Sequence, residues 1–143
     1  MNTIFVKGSA EFIGSNFIYM FLEERPDWKI IYVDVLMYAT NIHTINEAFK
    51  NPNFVFYKED IRNLDGINYI FKVEHPDIVV NFVVESHVDR SIDNPTIFLE
   101  TNIICTAVLM DTCRKYEIER FHQVGTDEVY GDLPLDRSNM FYH

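Results

Sequence analysis

Two adjacent carboxylates, Asp127 and Glu128, follow Thr126 near the carboxyl end of the chain. Neighbouring acids can act as a general acid and a general base when their surroundings separate their pKa values, so that one stays protonated and the other ionised. The same three residues would also suit a solvated turn after a strand, because loops carry polar residues whether or not they do chemistry. The residue types alone leave acid–base catalysis and a plain turn both open.

A glycine-bearing turn near the amino terminus is typical of a phosphate-binding loop. Gly8 and Gly14 are six residues apart, between a short apolar run and a helical pattern, where a dinucleotide pyrophosphate would meet helix amides. Asp34 follows Gly14 by twenty residues, and its carboxylate could accept a hydrogen bond from a ribose hydroxyl and disfavour a 2′-phosphate. This spacing predicts NAD rather than NADP, although an aspartate there can also simply cap a turn.

Two further sets of polar residues have simpler explanations than chemistry. Glu85, His87 and Asp89 do not fit a metal site, because alternate residues would have to face one way and a fourth ligand would have to come from elsewhere. We therefore expect no bound metal. His122 lies within a predicted strand and is expected to be a packed, hydrogen-bonded core residue.

Short apolar runs alternate with helical patterns and place these polar residues at strand ends. The predicted strands are residues 3–6, 29–34, 53–57, 77–82 and 120–124, and the predicted helices are 12–24, 42–49 (weak), 64–73 and 94–116. The alternation predicts an α/β fold with a doubly wound, Rossmann-like parallel sheet, which binds ligands at the carboxyl ends of its strands.

Composition limits the domain count and the partners. The chain has 143 residues, of which 48% are hydrophobic and 24% charged, as expected of a single globular domain over residues 1–143. Its net charge of -10 repels nucleic acid and anionic membranes, and we expect neither a signal peptide nor a transmembrane helix. Cys105 and Cys113 are about 12 Å apart on one predicted helix, too far for a disulfide, which favours a cytoplasmic location.

Two long motifs resemble the dTDP-glucose 4,6-dehydratase family, which belongs to the extended short-chain dehydrogenases. The motifs are NFVVESHVDRSI at residues 81–92 and FHQVGTDEVYGD at residues 121–132, and the similarity runs from the first strand to residue 137. The resemblance implies a lyase that acts on a nucleotide sugar and uses bound NAD transiently. Hydride leaves the sugar C4, water is eliminated across C5 and C6, and the hydride returns to C6.

The resemblance also implies roles for individual residues. Asp127 matches the acid that protonates the departing C6 hydroxyl, Glu128 matches the base that removes the C5 proton, and Thr126 matches a substrate-orienting hydroxyl. Ser86 and His87 match positions that face the nicotinamide and the substrate. The positions that match NAD contacts are Gly8, Phe12, Ile13, Gly14, Asp34, Tyr38, Asp60, Ile61 and Thr101.

The glycine turn departs from the family pattern. Glu11 stands in place of the middle glycine, and Lys7 and Ser9 stand in place of a threonine and a glycine. A carboxylate about 5 Å from one phosphate charge would cost roughly 3 kcal/mol at an effective dielectric of about 20, or about a hundredfold in affinity. Glu11 could instead swing into solvent, or occupy the helix N-terminus and block the cofactor. Further departures are Thr40, Val83, Val84 and Gly125.

The Tyr-x-x-x-Lys motif of the family does not occur in these 143 residues, nor does a downstream sugar-nucleotide domain. We therefore expect a cofactor-binding portion, truncated before the substrate domain, that shows no turnover alone and self-associates through uncovered apolar surface. A non-catalytic module with a decayed cofactor site, acting as a structural or interaction protein, is the alternative. A sugar-nucleotide epimerase is a third hypothesis that the Thr126-Asp127-Glu128 run favours less.

Overall fold

A computed structural model describes residues 1–8, 12–35, 45–82, 96 and 99–125 of the chain, with only the backbone described at residues 12, 100 and 101. Strands and helices alternate along these residues. In chain order they are β1 (Thr3–Lys7), α1 (Phe12–Glu24), β2 (Lys29–Asp34), a 3₁₀ turn (Ala48–Lys50), β3 (Phe54–Lys58), α2 (Leu64–Glu74), β4 (Ile78–Asn81), a π-helical segment (Glu100–Ile104), α3 (Cys105–Lys115) and β5 (Arg120–Gln123).

The five strands form one parallel sheet in the order β3-β2-β1-β4-β5. The chain adds strands on one side of β1 as far as β3 and then crosses to the other side with β4. The strand order therefore reverses beside β1, which is where doubly wound sheets open a crevice for ligands. The predicted parallel α/β sheet is confirmed.

The sheet is apolar on both faces because helices cover it on each side, as expected of parallel strands. Phe5 on β1 packs on the face covered by α2 and α3, with ring centroids 4.9 Å from Phe71. Val6 and Tyr32 turn to the opposite face and pack with Ile18 of α1. We call these two sides the α2/α3 face and the α1 face.

Local sequence explains where α2 begins and ends. The side chain of Asn63 accepts a hydrogen bond from the amide of Gly66 at 3.3 Å and so caps the first turn. At the other end, His75 adopts a left-handed conformation with φ 47° and donates its amide to the carbonyl of Phe71 at 3.0 Å. Pro76 then prevents the helix from continuing.

The structure corrects two predictions. Residues 45–50 form a turn and a short 3₁₀ segment rather than the end of an α-helix. His122 is exposed rather than packed in the core, because β5 lies at the edge of the sheet that the described residues form, and Phe121 is its only residue that packs against the α2/α3 face.

Cys105 and Cys113 are both buried, and they form no disulfide with each other. Within the described ranges, no helix is long and apolar enough to cross a membrane.

Candidate functional site at the carboxyl ends of the strands

The glycine turn begins at Gly8, directly after β1. Its φ of 82° lies in the left-handed region, which glycine adopts without the steric penalty of a Cβ atom. The Gly8 amide donates to the carbonyl of Val33 at 3.1 Å, and the amide of Phe82 donates to the carbonyl of Lys7 at 2.9 Å. The ends of β1, β2 and β4 are thus tied together where the chain leaves the sheet toward α1.

Helix α1 presents its N-terminus to this edge of the sheet. Its backbone starts at Phe12, and its first turn contains the predicted cofactor residues Ile13 and Gly14. Ile13 is 63% exposed, whereas Gly14 is buried. An exposed apolar side chain and a helix N-terminus beside a left-handed glycine form a surface that suits an anionic ligand with an apolar part.

Asp34 ends β2, next to the Gly8 turn. Its Oδ2 accepts a hydrogen bond from the Tyr32 hydroxyl at 2.8 Å, and its carbonyl accepts one from the Glu59 amide at 3.2 Å. The Tyr32 bond fixes one carboxylate oxygen on the α1 face. The half-buried Asp34 carboxylate is therefore held at the rim where a ribose hydroxyl could donate to it.

Asp60 follows β3 and lies on the same rim. Arg62 binds it through both side-chain oxygens, with Nε to Oδ1 at 3.0 Å and Nη2 to Oδ2 at 2.5 Å, and the Arg62 amide donates to Oδ1 at 2.9 Å. These bonds outweigh burial and hold the pKa of Asp60 below its usual value of 3.8. The next residue, Ile61, is 3% exposed and packs in the core of the α2/α3 face.

Two residues at this edge are not among the predicted site residues. Lys7, the last residue of β1, is half-buried, and burial lowers the pKa of its amine below the ordinary 10.5 against the opposing effect of the Asp34, Cys105 and Asp60 charges. Asn81, the last residue of β4, is 2% exposed, and its amide donates to Gln123 Oε1 at 2.8 Å and to Thr106 Oγ1 at 3.4 Å. A polar residue closing an otherwise apolar central strand was the signal for both.

The described residues bring together part of the predicted site. Gly8, Gly14, Asp34, Asp60 and Ile61 belong to the edge formed by β1, β2, β3 and α1, and Thr101 lies in the π-helical segment. The predicted catalytic residues Thr126, Asp127 and Glu128, and the predicted Tyr38, Ser86 and His87, lie outside the described residues. Among described side chains, no group of three His, Cys, Asp or Glu residues could hold a metal ion.

Comparison with known proteins agrees with this architecture. The sequence model of the GDP-mannose 4,6 dehydratase family matches residues 5–139. A dTDP-glucose 4,6-dehydratase of Haemophilus influenzae is 40% identical in an alignment of 144 positions, gaps included, that covers 94% of this chain and 42% of that protein. The chain therefore spans about two fifths of that relative's length.

Solved structures show the same fold. One is a dTDP-glucose 4,6-dehydratase of Bacillus anthracis solved in complex with NAD, which matches with a TM-score of 0.81 at 35% identity. The matched region covers 95% of this chain and 41% of the Bacillus anthracis chain. A UDP-Glc/GlcNAc 4-epimerase of Campylobacter jejuni has a TM-score of 0.82 at 27% identity over 92% and 39% of the two chains. The resemblance inferred from the two long motifs is confirmed, and the chain belongs to the GDP-mannose 4,6 dehydratase family.

Proposed function

We propose that residues 1–143 form one NAD-binding unit, the cofactor-binding portion of a nucleotide-sugar 4,6-dehydratase. The observation that carries this proposal is the pairing of the left-handed Gly8 turn with the Asp34 carboxylate at the ends of adjacent parallel strands. This pairing fits the two polar parts of a dinucleotide, because helix amides after the turn favour the pyrophosphate and the carboxylate accepts from a ribose hydroxyl.

In the proposed reaction, some residues of this chain bind NAD and others transfer protons to or from the sugar. When bound, NAD would supply reversible hydride transfer from the sugar C4 to C6, with no net oxidation. Gly8, Gly14 and Asp34 would hold the dinucleotide. Asp127 would donate a proton to the departing C6 hydroxyl, and Glu128 would remove the C5 proton, which requires one acid to be protonated and its neighbour ionised.

The remaining predicted residues would complete the site. Thr126 would orient the sugar with a hydroxyl, and Ser86 and His87 would line the space between nicotinamide and substrate. Phe12, Ile13, Tyr38, Asp60, Ile61 and Thr101 would contact NAD. Support for these roles comes from the resemblance of residues 81–92 and 121–132 to the dehydratases.

We propose a cytoplasmic protein whose partner is a nucleotide sugar. Buried thiols at Cys105 and Cys113 that form no disulfide suit a reducing compartment. The net charge of -10 disfavours nucleic acid and anionic membranes as partners. Large exposed apolar side chains around α3 favour contact with a second copy of the chain.

One specific observation supports the alternative of a non-catalytic module. Glu11 occupies the place of a family glycine in the turn that Gly8 opens, and a carboxylate there opposes a pyrophosphate. Under this alternative the protein keeps its fold but no longer binds the dinucleotide. The two hypotheses therefore differ in one measurable property, the affinity for NAD.

Calorimetric titration of NAD and NADP into the wild-type chain and the Asp34→Ala variant tests the proposal. We expect the wild type to bind NAD more tightly than NADP and the variant to lose about tenfold or more in NAD affinity, because a charged hydrogen bond contributes about 1.5–3 kcal/mol. The matched control is Asp27→Ala, an exposed aspartate in the turn before β2. Equal affinities for NAD in the wild type and Asp34→Ala would contradict the assignment of Asp34.

A further inference from the structure

Tyr32 places a hydroxyl group beside the carboxylate that ends β2. It lies between β1 and β3, in register with Val6 and Phe56. Side chains alternate along a strand, so Tyr32 and Asp34 point to the same face of the sheet. This is the α1 face, where Tyr32 belongs to the buried core. Helix α1, which follows the Gly8 turn, covers the same face, so the hydroxyl and the carboxylate lie on the side where the dinucleotide would bind.

Phenylalanine side chains hold the Tyr32 ring in place. The ring stacks on Phe54 with centroids 6.1 Å apart and is tilted against Phe56 at 5.7 Å. Phe49 packs edge-on against both of these phenylalanines, at 5.5 Å and 5.9 Å. Tyr32 is 0% exposed, so its hydroxyl is buried with the ring and needs a hydrogen-bond partner. Because the ring cannot leave this cluster without losing its packing, the hydroxyl is a fixed donor.

The Asp34 carboxylate accepts from this donor. The Tyr32 hydroxyl donates to Asp34 Oδ2 at 2.8 Å. The Asp34 backbone is fixed as well, because it pairs in register with Lys58 of β3 and its carbonyl accepts from the Glu59 amide at 3.2 Å. The freedom left to the carboxylate is rotation about χ1 and χ2, and the bond from Tyr32 restricts both.

A carboxylate held in this way can still serve a ligand. It offers about four acceptor sites, so Asp34 can accept from Tyr32 and from a ribose hydroxyl at the same time. A carboxylate already fixed in one orientation does not have to be ordered when the ribose binds. It also cannot turn away from a 2′-phosphate, whose charge it repels, without losing the bond from Tyr32. The same bond would thus favour NAD and disfavour NADP.

We propose that Tyr32 is a positioning residue of the dinucleotide site, whose hydroxyl strengthens the preference for NAD over NADP by holding the Asp34 carboxylate at the end of β2. This inference rests on the proposed function, because Asp34 is the residue that would accept a hydrogen bond from the ribose. Tyr32 acts through Asp34, and no contact between its buried ring and the dinucleotide is required.

The positioning role is tested first without any ligand. Three-bond NMR couplings to Cγ of Asp34 report how its χ1 rotamers are populated. We expect one rotamer in the wild type and an average over several in Tyr32→Phe, which keeps the ring and removes only the hydroxyl. The matched control is Tyr57→Phe, which removes a hydroxyl bonded to Glu74 at 2.6 Å on the α2/α3 face and should leave these couplings unchanged. Equal Asp34 couplings in the wild type and Tyr32→Phe would overturn the positioning role.

Calorimetric titration of NAD and NADP then tests the effect on binding. Tyr32→Phe should bind NAD about threefold to tenfold more weakly than the wild type, because the released carboxylate must be ordered on binding. Its affinity for NADP should fall less, so the ratio of the two affinities decreases. In the Asp34→Ala background, Tyr32→Phe should cause no further loss of NAD affinity, since the hydroxyl then has no carboxylate to hold. Tyr57→Phe should bind both dinucleotides like the wild type, and thermal unfolding of each variant separates a loss of affinity from a loss of fold.

The outcomes separate this inference from the proposed function. The role of Tyr32 would be overturned, while the proposed function stands, if Tyr32→Phe binds NAD like the wild type or loses NAD and NADP affinity equally. A further loss of NAD affinity in the Asp34→Ala background would overturn it too. A folded wild type that binds no NAD would contradict the proposed function, and the ligand-free couplings would still decide whether Tyr32 holds the Asp34 carboxylate.

Discussion

At the scale of single residues, we expect substitution of Glu74 to lower the free energy of unfolding more than substitution of any other described side chain outside the apolar core. Its side chain is 8% exposed, forms an ion pair with Lys29, and accepts a hydrogen bond from the Tyr57 hydroxyl at 2.6 Å. Glu74→Gln should lower the free energy of unfolding by about 1–3 kcal/mol, because Lys29 and Tyr57 lose a charged partner. Urea denaturation measures this, and Glu47→Gln in the exposed pair with Lys50 is the control, with an expected change below about 0.5 kcal/mol. Equal changes in the two variants would contradict the prediction.

The same contacts make stability depend on pH at both ends of the scale. Burial raises the pKa of Glu74, but the bonds from Lys29 and Tyr57 outweigh it and leave the pKa below the usual 4.5. The stabilisation by Glu74 is therefore complete above that value and is lost as the pH falls through the lowered pKa.

The bond to Glu74 raises the pKa of Tyr57 from 10.0 to about 12. The stabilisation by the protonated Tyr57 hydroxyl is therefore complete below pH 10 and is lost as the pH rises toward 12. Unfolding measured across pH should lose its alkaline decline in Tyr57→Phe, and a decline that persists unchanged would contradict the assignment.

Residue type and spacing predicted that Gly8 follows the first strand and that Asp34 ends the second, and the structure places both there, because these positions depend on local sequence at a strand end. Lys7 was not predicted as part of this edge, although a polar residue at the end of an apolar strand was a signal for it. Its burial comes from β2 and β4, which flank β1 in the sheet but belong to other parts of the sequence. His122 was misjudged for the same reason, since whether a strand lies at the centre or the edge of a sheet is decided by tertiary order.

At the scale of elements, the end of α2 is strained by its sequence. His75 occupies the left-handed C-cap position with φ 47° and is exposed, a conformation that costs a residue with a Cβ atom about 1 kcal/mol. His75→Gly should therefore raise the melting temperature by a few degrees, as measured by circular dichroism. Lys72→Gly, one turn earlier in the helix and also exposed, should destabilise by about 1 kcal/mol instead. Destabilisation by both substitutions would show that the cap conformation is not the cause.

The strand and helix alternation could be predicted from the sequence because each element has a strong period and clear stop residues. Apolar runs predicted the bounds of all five strands to within about two residues. Asn63 and Pro76 lie just outside the two ends of α2 and mark where it begins and ends. The conformation of residues 45–50 was harder to predict. Their buried residues Ile45 and Ala48 have the spacing of a helix, but these residues form a turn and a short 3₁₀ segment. Tertiary packing on the α1 face, rather than periodicity, decides their conformation.

At the scale of the whole molecule, the surface around α3 should drive association. Leu99, Ile103 and Met110 are 52%, 60% and 53% exposed, and they lie along the helical stretch formed by residues 99–104 and α3. We expect light scattering to detect a dimer or larger species at micromolar concentration, and Ile103→Asp with Met110→Lys to shift it to monomer. Met20→Lys, at an exposed apolar position on α1, should leave the association unchanged. A wild-type chain that is monomeric throughout would contradict the prediction.

The central claim is that the Gly8 turn and Asp34 form a working NAD site despite Glu11, and calorimetric titration of NAD into the wild type and Glu11→Gly tests it most directly. We predict that both bind, with the variant up to about a hundredfold tighter if the carboxylate faces the pyrophosphate. Binding by the variant alone would identify Glu11 as the block and support a decayed site in the natural chain. If neither the wild type nor Glu11→Gly binds NAD, although circular dichroism shows both to be folded, the result would contradict the account and favour the non-catalytic module.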